Sequence, residues 1–176
     1  IRPVGAGALQ KALEQLKSKL EAEGLFRVER KRPLPRFPER IGLITSPDAA
    51  AYTDVLRVLR NRWGGLKIVF ASVAVQGLGA ARTIVEAIRR IDRQKPDVII
   101  LTRGGGSLED LQSFNDEAVA RAIFASTTPI VSGVGHERDW TIAESTLTGL
   151  PNHALTLPAA APSPGGSRLA TAGGRP

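Results

Sequence analysis

An arginine and three glycines follow a short apolar stretch near the middle of the chain. Val98 to Leu101 predicts a buried strand, and Arg103 comes at its carboxyl end. The next residues are Gly104, Gly105, Gly106 and Ser107, of which Ser107 is suited to cap a following helix. Glycine amides, a helix amino terminus and a guanidinium can together bind a phosphate. The pattern therefore predicts an anion site, although a tight strand-to-helix turn with a solvent-facing arginine would have the same sequence.

A histidine and an aspartate follow the last predicted strand. His136 comes after Gly135, and Asp139 is three residues further along the chain. Imidazole is the side chain best suited to transfer protons near neutral pH, and a carboxylate can orient it. The alternative is that His136 is a surface loop residue and Asp139 only caps the next helix.

Asp54 is a less obvious candidate for a site residue. It lies in the first predicted helix of the core, beside the apolar face of that helix, although aspartate is a poor helix former. Its carboxylate either points into a cleft or pairs with Arg57 on the surface, and the spacing alone favours the surface pair.

The sequence has no zinc-binding spacing, no P-loop and no dinucleotide-binding glycine motif. Because it has no cysteine, thiolate metal sites and disulfides are excluded.

Alternating strands and helices would position these side chains. We predict strands over 40–45, 67–75, 97–102 and 129–134, and helices over 49–62, 80–94, 108–125 and from about 140. The strands are continuous apolar runs, which favours an α/β fold: a mostly parallel four-stranded sheet with helices on both faces. One face of the second of these helices should be buried, with Ile84, Ala87, Ile88 and Ile91. Ligands of such sheets bind at the carboxyl ends of the strands. Arg103 follows the third predicted strand and His136 follows the fourth, so both lie at such ends.

A helix and a basic linker, residues 1–40, precede this core. An amphipathic helix is predicted over 8–23, with Gly24 as its stop and four leucines on one stripe: Leu9, Leu13, Leu16 and Leu20. Residues 25–40 carry six basic and two acidic side chains, including Arg30, Lys31 and Arg32. Such a segment either attracts nucleic acid or is a solvated linker. Phe26 and Phe37 flank it, and two rings make a poor surface for base stacking.

The remaining sequence sets the domain organisation and the class of protein. The α/β core is predicted over 41–149, and the Pro/Gly-rich residues 150–176 are expected to be disordered. The 176 residues, 42% hydrophobic with a net charge of +7, are typical of one soluble globular domain. With no long apolar run and no signal peptide in this sequence, we expect a cytoplasmic protein that does not bind membranes.

Five segments together resemble the catalytic region of the exodeoxyribonuclease VII large subunit. They are Arg40-Ile-Gly-Leu-Ile-Thr-Ser-Pro, Ala74-Val-Gln-Gly, Thr102-Arg-Gly-Gly-Gly-Ser-Leu-Glu-Asp-Leu, Phe114-Asn-Asp-Glu and Val134-Gly-His-Glu-Arg-Asp. The resemblance runs from about Pro3 to Ala143. It implies degradation of single-stranded DNA from both ends, with a small subunit as partner. The OB-fold of that family, and the coiled-coil helices that recruit the small subunit, have no counterpart here, so we expect a truncated catalytic core.

The resemblance implies four catalytic residues: Asp54, Arg103, His136 and Asp139. In the mechanism it favours, Arg103 and the glycine amides hold the scissile phosphate, His136 moves a proton and Asp139 orients it. Asp54 would position water or a metal. Members of the family are described as able to act without an added divalent metal, so the resemblance implies that no cofactor is required, although Mg²⁺ is possible. Two alternatives stay open as well: a catalytically impaired relic that binds single-stranded nucleic acid through residues 25–40, and a sugar-phosphate-binding domain.

Overall fold

A computed structural model describes residues 6–27, 29, 31–48, 50–75, 77, 79–103, 111–134 and 141–146. In chain order its elements are α1 (Ala6–Ala22), β1 (Arg40–Thr45), α2 (Ala50–Arg62), β2 (Lys67–Ser72), α3 (Ala80–Asp92), β3 (Val98–Arg103), a 3-10 turn (Gln112–Asn115), α4 (Glu117–Ala125), β4 (Ile130–Val134) and α5 (Ile142–Thr146). The fold is α/β, as predicted. No helix in these ranges has the length and apolar character needed to cross a membrane.

The four strands form one sheet in the order β2-β1-β3-β4, and all neighbouring pairs are parallel. The chain moves from β1 to β2 in one direction and then back across β1 to β3 in the other. Because such crossovers are right-handed, this reversal places α2 on one face of the sheet and α3 with α4 on the other. The carboxyl ends of β1 and β3 flank the point of reversal, where ligands of open α/β sheets bind.

Side-chain contacts agree with this division into two faces. Ala71 of β2 belongs to the core that includes the buried residues of α3. Phe70 is adjacent in the strand and therefore points to the opposite face, where its ring contacts Tyr52 of α2 at a centroid distance of 4.8 Å. Helices therefore cover both faces of the sheet, as predicted.

The main hydrophobic core lies between the sheet and the helices α3 and α4. The predicted apolar face of α3 is confirmed, since all four of its residues are buried: Ile84, Ala87, Ile88 and Ile91. The helix packs so closely that a Cβ on Gly42 of β1 would lie 2.5 Å from Cγ2 of Ile91. Glycine at position 42 is therefore what allows α3 to approach β1.

The helix α1 packs against α4 and α5 in a second, smaller core. Gly24 has a φ of 79°, and the N–H of Leu25 donates to the carbonyl of Leu20 at 3.0 Å, which ends the helix in a Schellman motif. Leu20 and Leu25 are both buried and form this core with Ala120 and Ile142. Of the other predicted stripe residues, Leu13 and Leu16 pack against it.

Two predicted elements differ from the structure. The strand β2 ends at Ser72 rather than at residue 75, although Val73 and Val75 stay buried. The single helix predicted over 108–125 is wrong, because the 3-10 turn and α4 are separate elements. Asp116 lies between them with an extended ψ of 135°, and its carboxylate accepts from the N–H of Ala118 at 2.7 Å. The side chain thus caps a new helix instead of continuing an old one. Residues 104–110 and the tail 150–176 lie outside the described residues.

Candidate active site at the carboxyl edge of the sheet

The last residues of β3 and β4 are neighbours across the sheet. Arg103 ends β3, Val134 ends β4, and the two are register partners in the parallel ladder. Neighbouring strands lie about 4.8 Å apart. Arg103 directly precedes the glycine loop in the sequence, and Val134 directly precedes Gly135 and His136. Gly104 to Ser107, His136 and Asp139 themselves lie outside the described residues.

Arg103 is buried, with 7% of its surface exposed. Strand alternation puts its side chain on the face of the sheet that packs against α3 and α4, the same face as Leu101. Arginine is almost never this buried unless its charge is compensated, because removing a guanidinium from water is costly. The solvent-facing arginine that the sequence left open is therefore not what the structure has.

A side-chain hydrogen bond that the sequence did not predict joins β3 to β4 at this edge. The hydroxyl of Thr102, on the α2 face of the sheet, donates to the carbonyl oxygen of Gly133 at 2.8 Å. A Cβ on Gly133 would lie 3.3 Å from the same hydroxyl oxygen, so the two strands fit closely here. Thr102 is 5% exposed, which keeps water from competing for the bond. The bond fixes the ends of the two strands relative to each other.

The Phe114-Asn-Asp-Glu segment positions the chain that follows β4. Phe114 is fully buried in the main core. Asn115 accepts a hydrogen bond at its Oδ1 from the N–H of Ile142, the first residue of α5, at 2.9 Å. Because Ile142 comes three residues after Asp139, this contact holds the chain at the far end of the His136 segment. The only signal for Asn115 in the sequence was that it lies in a segment that resembles the family.

Thr45 ends β1 at the same edge. It is fully buried, and among the described residues its hydroxyl has no hydrogen-bond partner. Its carbonyl oxygen accepts from the N–H of Val73 at 3.1 Å. A buried hydroxyl without a partner is uncommon, and it adds a polar group to the carboxyl edge beside β3.

Asp54 lies in the second turn of α2, with 58% of its side chain exposed. Its Oδ1 is 2.8 Å from Nη2 of Arg57, so the surface pair that the spacing favoured is confirmed. Its catalytic role stays a prediction. Among the residues that the structure describes, no three His, Asp or Glu side chains are close enough together to hold a metal ion.

The predicted basic segment ends at the opposite edge of the sheet. Both backbone amides of Glu39 and Arg40 donate to Oδ2 of Asp97 at 2.7 Å, which ties the start of β1 to the start of β3. These amide hydrogen bonds, that of Arg40 first, hold the pKa of Asp97 below its usual value. Lys31 is exposed, and Arg32 is half-buried with an Nη1 that has no hydrogen-bond partner in the described part of the chain. Arg30 lies outside the described residues.

Comparison with known proteins gives one consistent result. The family described as exonuclease VII, large subunit, matches residues 25–146. An exodeoxyribonuclease 7 large subunit from Thioalkalivibrio sulfidiphilus is 60% identical over 141 residues, which are 80% of this chain and 32% of that protein. Proteins of the same name from Syntrophotalea carbinolica and Pseudomonas entomophila are 54% and 55% identical, over 82% of this chain and 36% and 31% of their own length. The chain therefore spans about a third of the length of these curated relatives.

Proposed function

This chain belongs to the exonuclease VII large-subunit family, and we propose that it carries the catalytic unit that hydrolyses phosphodiester bonds in single-stranded DNA. The observation that carries the proposal is the register pairing of Arg103 with Val134. It brings the ends of the two strands that precede the glycine loop and His136 next to each other, inside the region that matches the family.

In the proposed mechanism, the scissile phosphate binds at the carboxyl edge of the sheet. The guanidinium of Arg103 and the amides of Gly104 to Ser107 bind its oxygens and stabilise the charge that develops as water attacks. His136 transfers the proton, and Asp139 orients the imidazole. Asp54 would have to leave Arg57 to position the water or a Mg²⁺ ion. Since the pair is exposed, separating it costs little.

Two further parts of the proposal concern the partner and the location. The relatives are named as large subunits, from which we infer a small subunit as partner, and we place the complex in the cytoplasm, where a chain without cysteine needs no oxidising compartment. Single-stranded DNA is the substrate, with the basic side chains of residues 25–40 as additional phosphate contacts.

The test is hydrolysis of single-stranded DNA labelled at either end, with and without Mg²⁺, by the 176-residue chain and its variants. Arg103→Ala should lower kcat by about 10²–10³, as for loss of one transition-state donor. His136→Ala, which replaces no core residue of the described structure, should lower it by about 10²–10⁴. Arg82→Ala is the matched control, because it removes the same charge from an 85% exposed position on α3.

Near wild-type hydrolysis by a folded His136→Ala variant would remove His136 from the mechanism. A wild-type chain that binds single strands without cleaving them would favour the second candidate, a nucleic-acid-binding domain. The exposed Lys31 in a basic segment is the observation that supports that candidate. Circular dichroism on each variant separates loss of fold from loss of catalysis.

A further inference from the structure

Two aromatic rings contact each other on the solvent-exposed surface, at the amino edge of the sheet. Phe37 comes three residues before β1, and Trp63 directly follows α2. Their ring centroids are 5.6 Å apart with planes tilted by 50°. Phe37 is 63% exposed and Trp63 is 37% exposed. Single exposed apolar side chains are ordinary, but two large rings in contact at the surface form a patch of the kind that binds a partner.

The chain segments that carry this pair are mostly basic, with Glu39, two residues after Phe37, as the one acidic side chain in residues 30–40 and 55–66. The guanidinium carbon of Arg36 lies 5.7 Å from the centroid of the Phe37 ring. Arg60 and Arg62 lie in the last turn of α2, and residues 55–66 contain no acidic side chain. The helix dipole by itself favours cations at this end of α2. It does not favour exposed aromatic rings, so the rings need a separate explanation.

We propose that Arg36, Phe37 and Trp63, the amino-edge patch, form a base-stacking subsite for single-stranded DNA, distinct from the candidate active site. The inference rests on the proposed substrate but not on the proposed catalytic residues. Aromatic rings and arginine planes stack on bases, while the arginine charges attract phosphates. An apolar protein surface docked here would bury Arg36 without an anionic partner, which is costly. The charge of the patch therefore favours a polyanion with flat faces.

The distance between the two edges of the sheet sets the length of DNA that could contact both. The six residues of β1 span about 20 Å at 3.3 Å per residue. About six nucleotides of a stacked strand, at 3.4 Å each, cover that distance. A second aromatic contact, between Tyr52 and Phe70, lies on the same side of the sheet as α2. Tyr52 comes about 16 Å before Trp63 along α2, toward the carboxyl edge.

The binding test compares two 12-nucleotide strands that carry the same charge. One is a thymidine oligomer and the other is an abasic strand of equal length, both with phosphorothioate linkages so that neither is hydrolysed. Fluorescence anisotropy should show that the wild-type chain binds the thymidine strand more tightly, by about 5- to 150-fold for one stacked base. Phe37→Ala should remove most of that preference. Val58→Ala, a substitution on α2 at a 45% exposed residue outside the patch, should retain it.

Two further measurements separate this subsite from the active site. Arg103→Ala should keep the preference for the thymidine strand even where hydrolysis is lost. If the wild-type chain cleaves DNA, Phe37→Ala should raise KM for a 12-mer more than for a trinucleotide, which is too short to reach both edges.

Three results would overturn the subsite. They are equal affinity for the two strands, a Phe37→Ala variant that keeps the full preference, and sedimentation showing a wild-type dimer that Phe37→Ala dissociates. The last result would identify the patch as a contact between two copies of the chain.

Discussion

The hydroxyl of Thr102 donates to the carbonyl of Gly133 at 2.8 Å and joins the two strands that end beside the candidate active site. The bond lies one residue before the Arg103–Val134 pair in the register. Since Thr102 is buried and water competes little for this bond, it fixes the edge from which both candidate catalytic segments continue. The hydrolysis that we propose for the chain should therefore depend on Thr102, although the Thr102 side chain is on the opposite face of the sheet from that of Arg103.

Thr102→Val tests this dependence. The valine fills similar space but removes the hydroxyl donor of this bond, so the free energy of unfolding should fall by about 1 kcal/mol. The kcat for single-stranded DNA should fall as well, under conditions in which the variant is fully folded. Thr53→Val, at an exposed position of α2, is the control and should change stability by less than about 0.5 kcal/mol. A Thr102→Val chain with reduced stability but unchanged kcat would show that the bond serves the fold only.

Asn115 offers a second test of how the chain after β4 is positioned, because one substitution removes its acceptor oxygen and another keeps it. Asn115→Ala removes the acceptor for the N–H of Ile142, whereas Asn115→Asp keeps an acceptor oxygen in the same place. We expect Asn115→Ala to lose about 1 kcal/mol of stability, as for loss of a helix cap, and to have a lower kcat. Asn115→Asp should recover most of both in urea unfolding and in hydrolysis assays. Equal kcat values for the two variants would mean that this contact does not position the His136 segment.

The strands and their order of appearance could be predicted because each is a continuous apolar run, and burial on both faces of a parallel sheet requires that pattern. The apolar face of α3 could be predicted from a different pattern, because Ile84, Ile88 and Ile91 recur with the helical period. These features depend on residues that are near one another in the sequence. The break at Asp116 was missed because a capping aspartate and a helical aspartate have the same local pattern, and only the hydrogen bond to Ala118 distinguishes them.

Contacts between residues that are far apart in the sequence could not be predicted. Only two rings, Phe26 and Phe37, flank the basic segment in the sequence, which predicts little stacking surface. The contact of Phe37 with Trp63 at 5.6 Å depends on the fold, because the two residues are far apart along the chain. Phe26, the other ring at the basic segment, packs instead against the core of α1 and α4. The sequence placed Arg103 at a strand end but could not give its burial, which depends on the strand face. In contrast, the Asp54–Arg57 pair is three residues apart on one helix, and spacing alone was sufficient.

Asp92 should make the stability of the fold depend on pH. Burial would by itself raise the pKa of this carboxyl group, but hydrogen bonds from the amides and hydroxyls of Thr127 and Thr128 outweigh burial and lower it. A group whose pKa is lower in the folded state stabilises the fold above its unfolded pKa, about 3.9, and loses that contribution as pH falls through the folded value. Asp92→Ala should therefore cost about 1–3 kcal/mol at pH 7.

The pH series is what distinguishes this effect from simple loss of packing. Urea unfolding between pH 7 and pH 2 should show the difference between wild type and Asp92→Ala shrinking below about pH 4. Asp92→Asn keeps one acceptor oxygen without the charge, so its cost at pH 7 should be smaller. A difference that stays constant down to pH 2 would mean that the charge of Asp92 does not contribute.

The salt dependence of DNA binding tests the basic segment separately from the aromatic patch. Each phosphate contact to a single strand contributes about 0.7 to the slope of log K against log salt concentration. Replacing Arg30, Lys31 and Arg32 together with glutamine should therefore flatten that slope by up to about two units. Replacing the exposed Arg89 and Arg90 of α3 together with Arg93, which directly follows the helix, removes the same net charge and should change the slope much less. The two triple variants are compared with wild type on the phosphorothioate thymidine 12-mer. If they flatten the slope equally, the attraction depends on net charge alone, and residues 25–40 are a solvated linker rather than a phosphate-binding segment.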